Sequence, residues 1–327
     1  MALYHDRIGR YFTCFNKVMG ESTIVEIVSI DQDGVAERHH FNHSESDAQG
    51  ALLRLQQLKF ESPLQLPKQR EEKLPPLFRQ LMFLKDYLKT MTQASKPTLT
   101  RRSSTKAKPN SFAHYSLTAE ETRVFKVWTK QQKVTPTSFL TWTLHKAIGL
   151  QSGMVDHACN WSIPVSLRGP IEFPDPTGNH AVPLFLALDS KSTLEGTHAK
   201  IQDQLAKGMH WGAYRMLMTL GRLPNRVYEH IIRRDENKMA AKGHWFAVFS
   251  NVGAITGDAR IASRAVLVPT DPTAPLKGTS LTWNGRMALA VSVHESFSVH
   301  SLNADSLIKT WLDVIRSSQK SPEHSSL

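Results

Sequence analysis

The sequence has few cysteines and no long apolar run, and both absences exclude whole classes of protein. Its 327 residues include two cysteines, Cys14 and Cys159, which provide neither a disulfide framework nor a metal-ligand spacing. No apolar run reaches the roughly 20 residues that a transmembrane helix needs. Residues 1–10 lack the apolar core of a signal peptide, and Asp6 lies where that core would be. These absences predict a reduced, cytoplasmic protein.

Positive charge is in excess, and part of the excess is local. Lys and Arg number 40 against 29 Asp and Glu, which gives a formal net charge of +11. Several basic residues fall in one short span rich in Ser, Thr and Pro, namely Lys85, Lys89, Lys96, Arg101, Arg102, Lys106 and Lys108. Such a composition is typical of an exposed linker. The remaining charge suits an acidic ligand such as a phosphorylated cofactor or an acyl carrier protein. The sequence has no zinc spacing, basic zipper or aromatic-basic pattern, so we expect no nucleic-acid partner.

The apolar periodicity predicts an α/β protein with mixed sheets and helices packed on them. Apolar segments rich in β-branched residues predict strands at 23–30, 111–117, 158–165, 181–188, 245–251, 265–268, 280–283 and 287–293. Asn284-Gly285 predicts that the last two strands form a hairpin. Helical spacing predicts helices at 6–19, 51–58, 76–91, 118–128, 134–148 and 302–315, and a mostly helical stretch from 193 to 232. Thr118, followed by two glutamates, predicts a helix N-cap.

The helix that begins near Pro76 has a pronounced apolar stripe. The residues that repeat at helical spacing are Leu77, Leu81, Leu84, Leu88 and Met91. Such a stripe predicts a face packed on the core or between lobes. Lysines beside the stripe leave a second interpretation open, in which the helix lies on a membrane surface.

The segment 38–50 carries the strongest chemical signal. It holds three histidines and two carboxylates just before a predicted helix, and three residues separate His43 from Asp47. A histidine that is held on a turn and partly shielded from water can act as a general base. The pair alone is common and equally suits a surface or helix-capping histidine.

Several motifs, taken in order, resemble the coenzyme A-dependent acyltransferase superfamily, which includes chloramphenicol acetyltransferase, nonribosomal peptide condensation domains, alcohol O-acetyltransferases and wax ester synthases. Residues 41–48 resemble its signature His-His-x-x-x-Asp-Gly, with Asn42 in place of the first His and Ala48 in place of Gly. Other segments are similar to the family's Pro-Val-Asn-Leu-Arg, Gly-Asn and Ser-Asn-hydrophobic-Gly motifs, its helix pair and its penultimate strands, at 163–168, 178–179, 250–253, 120–148 and 281–293.

The resemblance implies a two-lobed, chloramphenicol acetyltransferase-like sandwich that catalyses acyl transfer from a thioester. In the family, the histidine that matches His43 takes a proton from the acceptor. The aspartate that matches Asp47 points away and structures the loop through an arginine. Arg168, Arg7 and Arg10 are the candidate partners of Asp47.

The resemblance also implies the substrates. The co-substrate is an acyl thioester of coenzyme A or of an acyl carrier protein, and the acceptor is a hydroxyl or amine of a small molecule or lipid. No permanently bound cofactor and no metal are expected. Ser250 and Asn251 are candidate donors to a developing oxyanion, and Asn251 also suits a strand-end turn.

Only 42 residues precede His43, fewer than the family places there, which predicts a reduced first lobe. We expect this lobe, with the histidine motif and the basic linker, over residues 1–110 and the C-terminal lobe over residues 111–327. Two other functions stay open: a catalytically degenerate relative that serves as a binding or assembly partner, and a lipid-binding protein that uses residues 76–96 on a membrane surface. A second copy of the chain is also open as a partner.

Overall fold

Local sequence signals fix several element boundaries. The Thr118 hydroxyl accepts a hydrogen bond from the Glu121 backbone N–H at 3.1 Å, and the Glu121 carboxylate accepts one from the Thr118 N–H at 2.9 Å. This reciprocal pair is a capping box. Asn284 and Gly285 have φ angles of 46° and 85°, as the two-residue turn of a tight hairpin requires. The predicted N-cap and hairpin are both confirmed.

The computed structural model describes residues 7–19, 23–92, 111–153, 156–241, 244–268, 270–271, 273–294 and 302–320. The helices are α1 (Arg7–Met19), α2 (Ala48–Lys59), α3 (Leu77–Thr92), α4 (Ala119–Gln131), α5 (Pro136–Ser152), α6 (Leu194–Ala206), α7 (Met209–Leu220), α8 (Asn225–Ala241) and α9 (Ala304–Lys320). The strands are β1 (Ile24–Asp31), β2 (Ala36–Asn42), β3 (Ser111–Ser116), β4 (Ala158–Ser166), β5 (Ala181–Asp189), β6 (Phe246–Ile255), β7 (Ile261–Leu267), β8 (Leu276–Trp283) and β9 (Arg286–Val293). Lys85 and Lys89, two residues of the predicted basic linker, lie in α3, so the linker prediction is wrong for them. The other basic residues of that span lie outside the described residues.

The larger sheet has six strands in the order β3-β9-β8-β6-β4-β5. Strand β6 runs parallel to both β4 and β8, and the other neighbours are antiparallel. Helices α5 and α9 pack on this sheet. The Trp311 indole donates to the Thr143 hydroxyl at 2.9 Å, and its ring meets Phe249 of β6 edge-on. The resulting core holds most of the buried apolar side chains.

The smaller sheet has three antiparallel strands in the order β2-β1-β7. Its core joins β1, α2 and the last residues of β6 and β8, through side chains such as Val25, Leu52, Ile255 and Trp283. The predicted α/β class with mixed sheets is therefore confirmed. The lobe boundary at residue 110 lies outside the described residues and stays a prediction; β7, which follows it in the chain, belongs to the smaller sheet.

Helix α3 does not bury its apolar stripe, so the predicted core-facing stripe is wrong. Leu77, Leu81 and Leu88 are 54%, 50% and 44% exposed. The helix instead buries the adjacent face, with Gln80 and Tyr87, and packs on α7. Close approach is possible there because α7 carries Gly212, whose Cβ, if present, would lie 2.4 Å from the backbone oxygen of Phe83. The apolar periodicity locates the stripe on the helix, but it does not show which face of the helix packs against another element. None of the helices in the described ranges is long and apolar enough to cross a membrane.

Candidate active site

His43 lies on the turn between β2 and α2. Its backbone N–H donates to the carbonyl of Thr23 at 2.9 Å, which ties the turn to the start of β1. The Asn42 side-chain oxygen accepts hydrogen bonds from the Ser44 N–H at 3.0 Å and the Ser44 hydroxyl at 2.8 Å. Asn42 therefore braces the turn that presents His43.

The hydrogen bonds of the His43 ring determine its tautomer. Nδ1 lies 3.0 Å from the carbonyl oxygen of Ser46. A carbonyl oxygen can only accept, so this contact requires the proton on Nδ1. The Asn179 amide nitrogen lies farther from the same atom, at 3.4 Å, so the Ser46 contact is the closer of the two. The neutral ring then presents the lone pair of Nε2, which has no hydrogen-bond partner among the described residues. The His43 side chain is half-buried.

The surroundings of His43 favour the neutral imidazole. The Phe12 ring of α1 lies against it, with 4.4 Å between ring centroids. Burial lowers the pKa of His43; the Ser46 hydrogen bond and the Asp47 charge oppose this effect, and the Lys277 charge adds to it. The net pKa is below the ordinary value, so the ring stays unprotonated to lower pH than a free histidine.

Asp47 is buried and both of its carboxylate oxygens accept hydrogen bonds. Oδ1 accepts from the Gly50 N–H at 2.8 Å, which makes Asp47 the N-cap of α2, and Oδ2 accepts from the His180 N–H at 2.9 Å. Burial raises the pKa of Asp47, but the Arg168 charge and these hydrogen bonds outweigh it and lower the pKa overall. The carboxylate is therefore ionised and fully engaged, with its oxygens turned toward its partners.

Arg168, just after β4, is the partner of Asp47. Its Nη1 and Nη2 donate to the two carboxylate oxygens at 2.7 and 3.0 Å. The same guanidinium donates to the carbonyls of Pro176 and Gly178, at 3.0 and 2.9 Å from Nη2. Arg168 therefore fastens the His43–Asp47 segment to the 175–180 loop that precedes β5.

That loop contacts His43 directly. The Asn179 amide donates to the backbone oxygen of His43 at 2.9 Å. Gly50, in the first turn of α2, lies so close to the loop that a Cβ would come within 2.1 Å of the Thr177 carbonyl oxygen.

Ala48 begins α2 and is not among the residues with positive φ, so this position does not require glycine.

Comparison with solved structures identifies the fold. The chain resembles the EpoB NRPS cyclization-docking bidomain from Sorangium cellulosum with a TM-score of 0.54, at 15% identity over 88% of this chain and 61% of that one. It resembles polyketide synthase associated protein 5 from Mycobacterium tuberculosis with a TM-score of 0.52, at 10% identity over 88% and 75% of the two chains. It has the chloramphenicol acetyltransferase-like acyltransferase fold.

A third structure with this acyltransferase fold is TRI3 trichothecene 15-O-acetyltransferase from Fusarium sporotrichioides. Its TM-score is 0.52, at 10% identity over 91% of this chain and 70% of that one. At the sequence level, neither a family profile nor a curated protein matches the chain. The likeness therefore establishes the fold, and the chemistry has to be argued from the residues of this chain.

In this acyltransferase fold, Ser250 and Asn251 lie on β6, where the pairing with β8 shifts register. The Asn251 side-chain oxygen accepts from the Gly253 N–H and the Ser280 hydroxyl, and its amide donates to Thr137, each at 3.1 Å. The next residue, Val252, accepts a hydrogen bond from Gln49 of α2 at 2.9 Å. The irregular part of β6 is thus joined to the helix that Asp47 caps.

The other histidines of the segment and the other two candidate arginines interact with groups outside the His43–Asp47 site. His40 and His39, on β2, lie 3.5 Å from Glu26 and 3.3 Å from Glu37. Arg10 and Arg7 of α1 reach carbonyls at the end of α7 and the turn before α8. Neither arginine pairs with Asp47. In the described ranges, no three His, Cys, Asp or Glu side chains converge to hold a metal ion.

Two residues that affect His43 have no sequence signal that relates them to it. Phe12 lies in the predicted helix at 6–19 and contacts the ring, and Lys277 of β8 acts on it through its charge. Lys277 is buried and bonds to Asp271 at 3.0 Å. A lysine inside an apolar strand is a signal that can be found in a sequence, since a buried lysine is rare without a partner.

Proposed function

We propose that this protein is an acyltransferase that moves an acyl group from a thioester to a hydroxyl or amine acceptor, with His43 as the general base. The observation that carries the proposal is the Nδ1–Ser46 hydrogen bond, because it leaves the Nε2 lone pair directed away from the turn. The lowered pKa of His43 supports the role, since the base is then neutral at physiological pH.

The reaction follows from this geometry. Nε2 removes the proton of the acceptor hydroxyl or amine as its oxygen or nitrogen attacks the thioester carbonyl. The tetrahedral intermediate collapses, the carbon–sulfur bond breaks, and the thiolate leaves. The proton on Nε2 passes to the thiolate, which regenerates neutral His43 and releases a thiol.

Asp47 and Arg168 are positioning residues in this proposal. Because Arg168, Gly50 and His180 already occupy the carboxylate, Asp47 is not available as a second base. The ion pair instead holds the turn and the 175–180 loop, from which Asn179 fixes the His43 backbone. This fixed turn keeps the ring in one orientation.

Ser250 and Asn251 are proposed to stabilise the oxyanion of the intermediate. Ser250 is half-buried on β6, and Asn251 holds the register shift beside it. The proposed donors of the acyl group are thioesters of coenzyme A or of an acyl carrier protein, as the resemblance of the sequence motifs implies.

The test uses radiolabelled acyl-coenzyme A and a panel of alcohol and amine acceptors. His43→Ala is expected to reduce transfer by about 10²- to 10⁴-fold, the usual contribution of a general base, with little change in Tm. His40→Ala is the matched control, because His40 is an exposed histidine on β2. If the wild-type protein turns over no thioester with any acceptor, the binding-partner function is favoured instead.

A further inference from the structure

The outer face of α3, defined by Leu77, Phe78, Leu81, Met82 and Leu88, is exposed and is not covered by any helix or strand of the described ranges. Phe78 and Met82 are the most exposed of the five, at 62% and 63%. Leu74, just before the helix, is also exposed. Single exposed apolar side chains are ordinary, but a continuous group on one helix marks an interaction surface.

The helix is rigidly held, so this exposure is not a frayed end. Tyr87 is buried, and the Gln80 amide donates to the Pro75 carbonyl at 2.7 Å at the start of the helix. Gly208, the N-cap of α7, and Gly212 within α7 admit Phe83 at close distance. The inner face thus fixes the outer face in a constant orientation.

Positive charge accompanies the apolar face. At 100° per residue, Lys85 and Lys89 fall in the same arc as Phe78 and Met82. Arg79 is the other basic residue of α3, and Asp86 is its one acidic residue. Arg79 and Lys85 form no ion pair with any described residue. Long lysine side chains beside apolar ones can keep their charges at a polar boundary while their stems lie along the apolar surface.

We propose that the outer face of α3 docks on an anionic lipid surface. The apolar side chains enter the boundary between headgroups and acyl chains, and Lys85 binds a lipid phosphate. The net positive charge favours a lipid surface over a second copy, because an isologous contact would bring two identical basic faces together. This docking goes beyond acyl transfer and does not depend on it.

Vesicle flotation tests the proposal with the full chain. We expect the wild type to float with vesicles of phosphatidylcholine and phosphatidylserine, and to float less as salt is raised. The triple variant Phe78→Gln, Leu81→Gln, Met82→Gln should bind at least about ten-fold less. Lys85→Glu should weaken binding about five-fold, and since Lys85 is exposed this variant tests the proposal if the triple variant fails to fold.

Leu58→Gln and Leu150→Gln are the matched controls, since these leucines are 68% and 67% exposed at other sites. Both should bind vesicles as the wild type does. The proposal is overturned if the wild type stays at the bottom of every gradient, or if the controls lose as much binding as the α3 variants. It is also overturned if Leu81→Gln converts a dimer to a monomer in sedimentation. Transfer from soluble acyl-coenzyme A should be unchanged in the α3 variants, so this test is separate from that of His43.

Discussion

Arg168 and Asp47 stand 121 residues apart in the chain and meet in a buried, two-pronged ion pair. The pair joins the residue that caps α2 to the residue that follows β4. His43 lies between these anchors and the Asn179 amide, so the orientation of its ring depends on contacts made far along the sequence.

Arg168→Met should lower the free energy of unfolding by about 3–5 kcal/mol, because the Asp47 carboxylate is then buried without its counter-charge. Urea unfolding at pH 7 measures the change. Lys207→Met is the control, since Lys207 and Asp203 form an exposed pair at 2.7 Å whose loss should cost at most about 1 kcal/mol. Equal losses in the two variants would contradict the structural role of Arg168.

Asp47→Asn should make the free energy of unfolding depend less on pH in the acid range. The folded pKa of Asp47 lies below its ordinary value of 3.8, so its stabilisation is present above that value and is lost as pH falls through the folded pKa. The variant should be less stable than the wild type at pH 7, and the gap should narrow at lower pH. Denaturant midpoints across an acid pH series measure this, and a constant gap would refute it.

The rate of acyl transfer should stay high below the ordinary histidine pKa of 6.5, because the pKa of His43 is lowered by burial. The acid limb of kcat/KM reports the base of the free enzyme, so its midpoint should lie below 6.5. A midpoint at or above that value would argue against His43 as the base in this environment.

Phe12→Ala tests whether burial lowers the pKa of His43. Removing the ring that lies 4.4 Å from His43 admits water, which relieves the desolvation and should move the midpoint upward. Phe15→Ala serves as the control because it removes a buried aromatic ring from the same helix, where it packs with Tyr228. It should lower stability without moving the midpoint.

Gly50→Ala should reduce kcat and cost about 1–3 kcal/mol of stability, because the added methyl group overlaps the Thr177 carbonyl and pushes α2 from the loop that holds His43. Gly196→Ala is the matched helical substitution, with its nearest atom in Thr193 at 3.2 Å. The control should leave kcat unchanged, as assayed with the same thioester. Wild-type kcat in Gly50→Ala would show that the loop contact is dispensable.

Ser250→Ala should lower kcat by about 10²- to 10³-fold with little effect on Tm, as expected for an oxyanion donor. Asn251→Ala should lower stability as well, because Asn251 bonds to Thr137, Gly253 and Ser280. Steady-state kinetics and thermal unfolding on both variants separate the two roles. A Ser250→Ala enzyme with unchanged kcat would remove Ser250 from the mechanism.

The sequence predicts best where a signal is local. The Thr118 N-cap and the Asn284-Gly285 hairpin depend on residues a few positions apart, and both appear as expected. Family motifs in the right order were enough to select His43, Asp47 and Arg168 as candidates. Their mutual geometry is long-range, so the choice of Arg168 over Arg7 and Arg10 required the structure.

The wrong and missing predictions likewise concern contacts between residues that are far apart in the sequence. The apolar periodicity of α3 predicts a stripe but does not show whether another element packs on it. The sequence therefore does not reveal that the stripe is exposed. Contacts between distant elements are equally hidden, as with Phe12 and His43. Strand β2 was not predicted because the sequence Ala36–Asn42 is mostly polar, and the exposed edge of a small sheet tolerates such residues.

The pairing of β1 with β7 also sets an order of events during synthesis. Strand β1 emerges from the ribosome well before β7, the neighbour that completes its second edge and ends at Leu267. Closing so long a loop is entropically costly and slows folding. A ribosome-bound chain that stops short of β7 leaves β1 with only β2 as a partner. The turn that carries His43 therefore gains its finished support late, after most of the larger sheet has been translated.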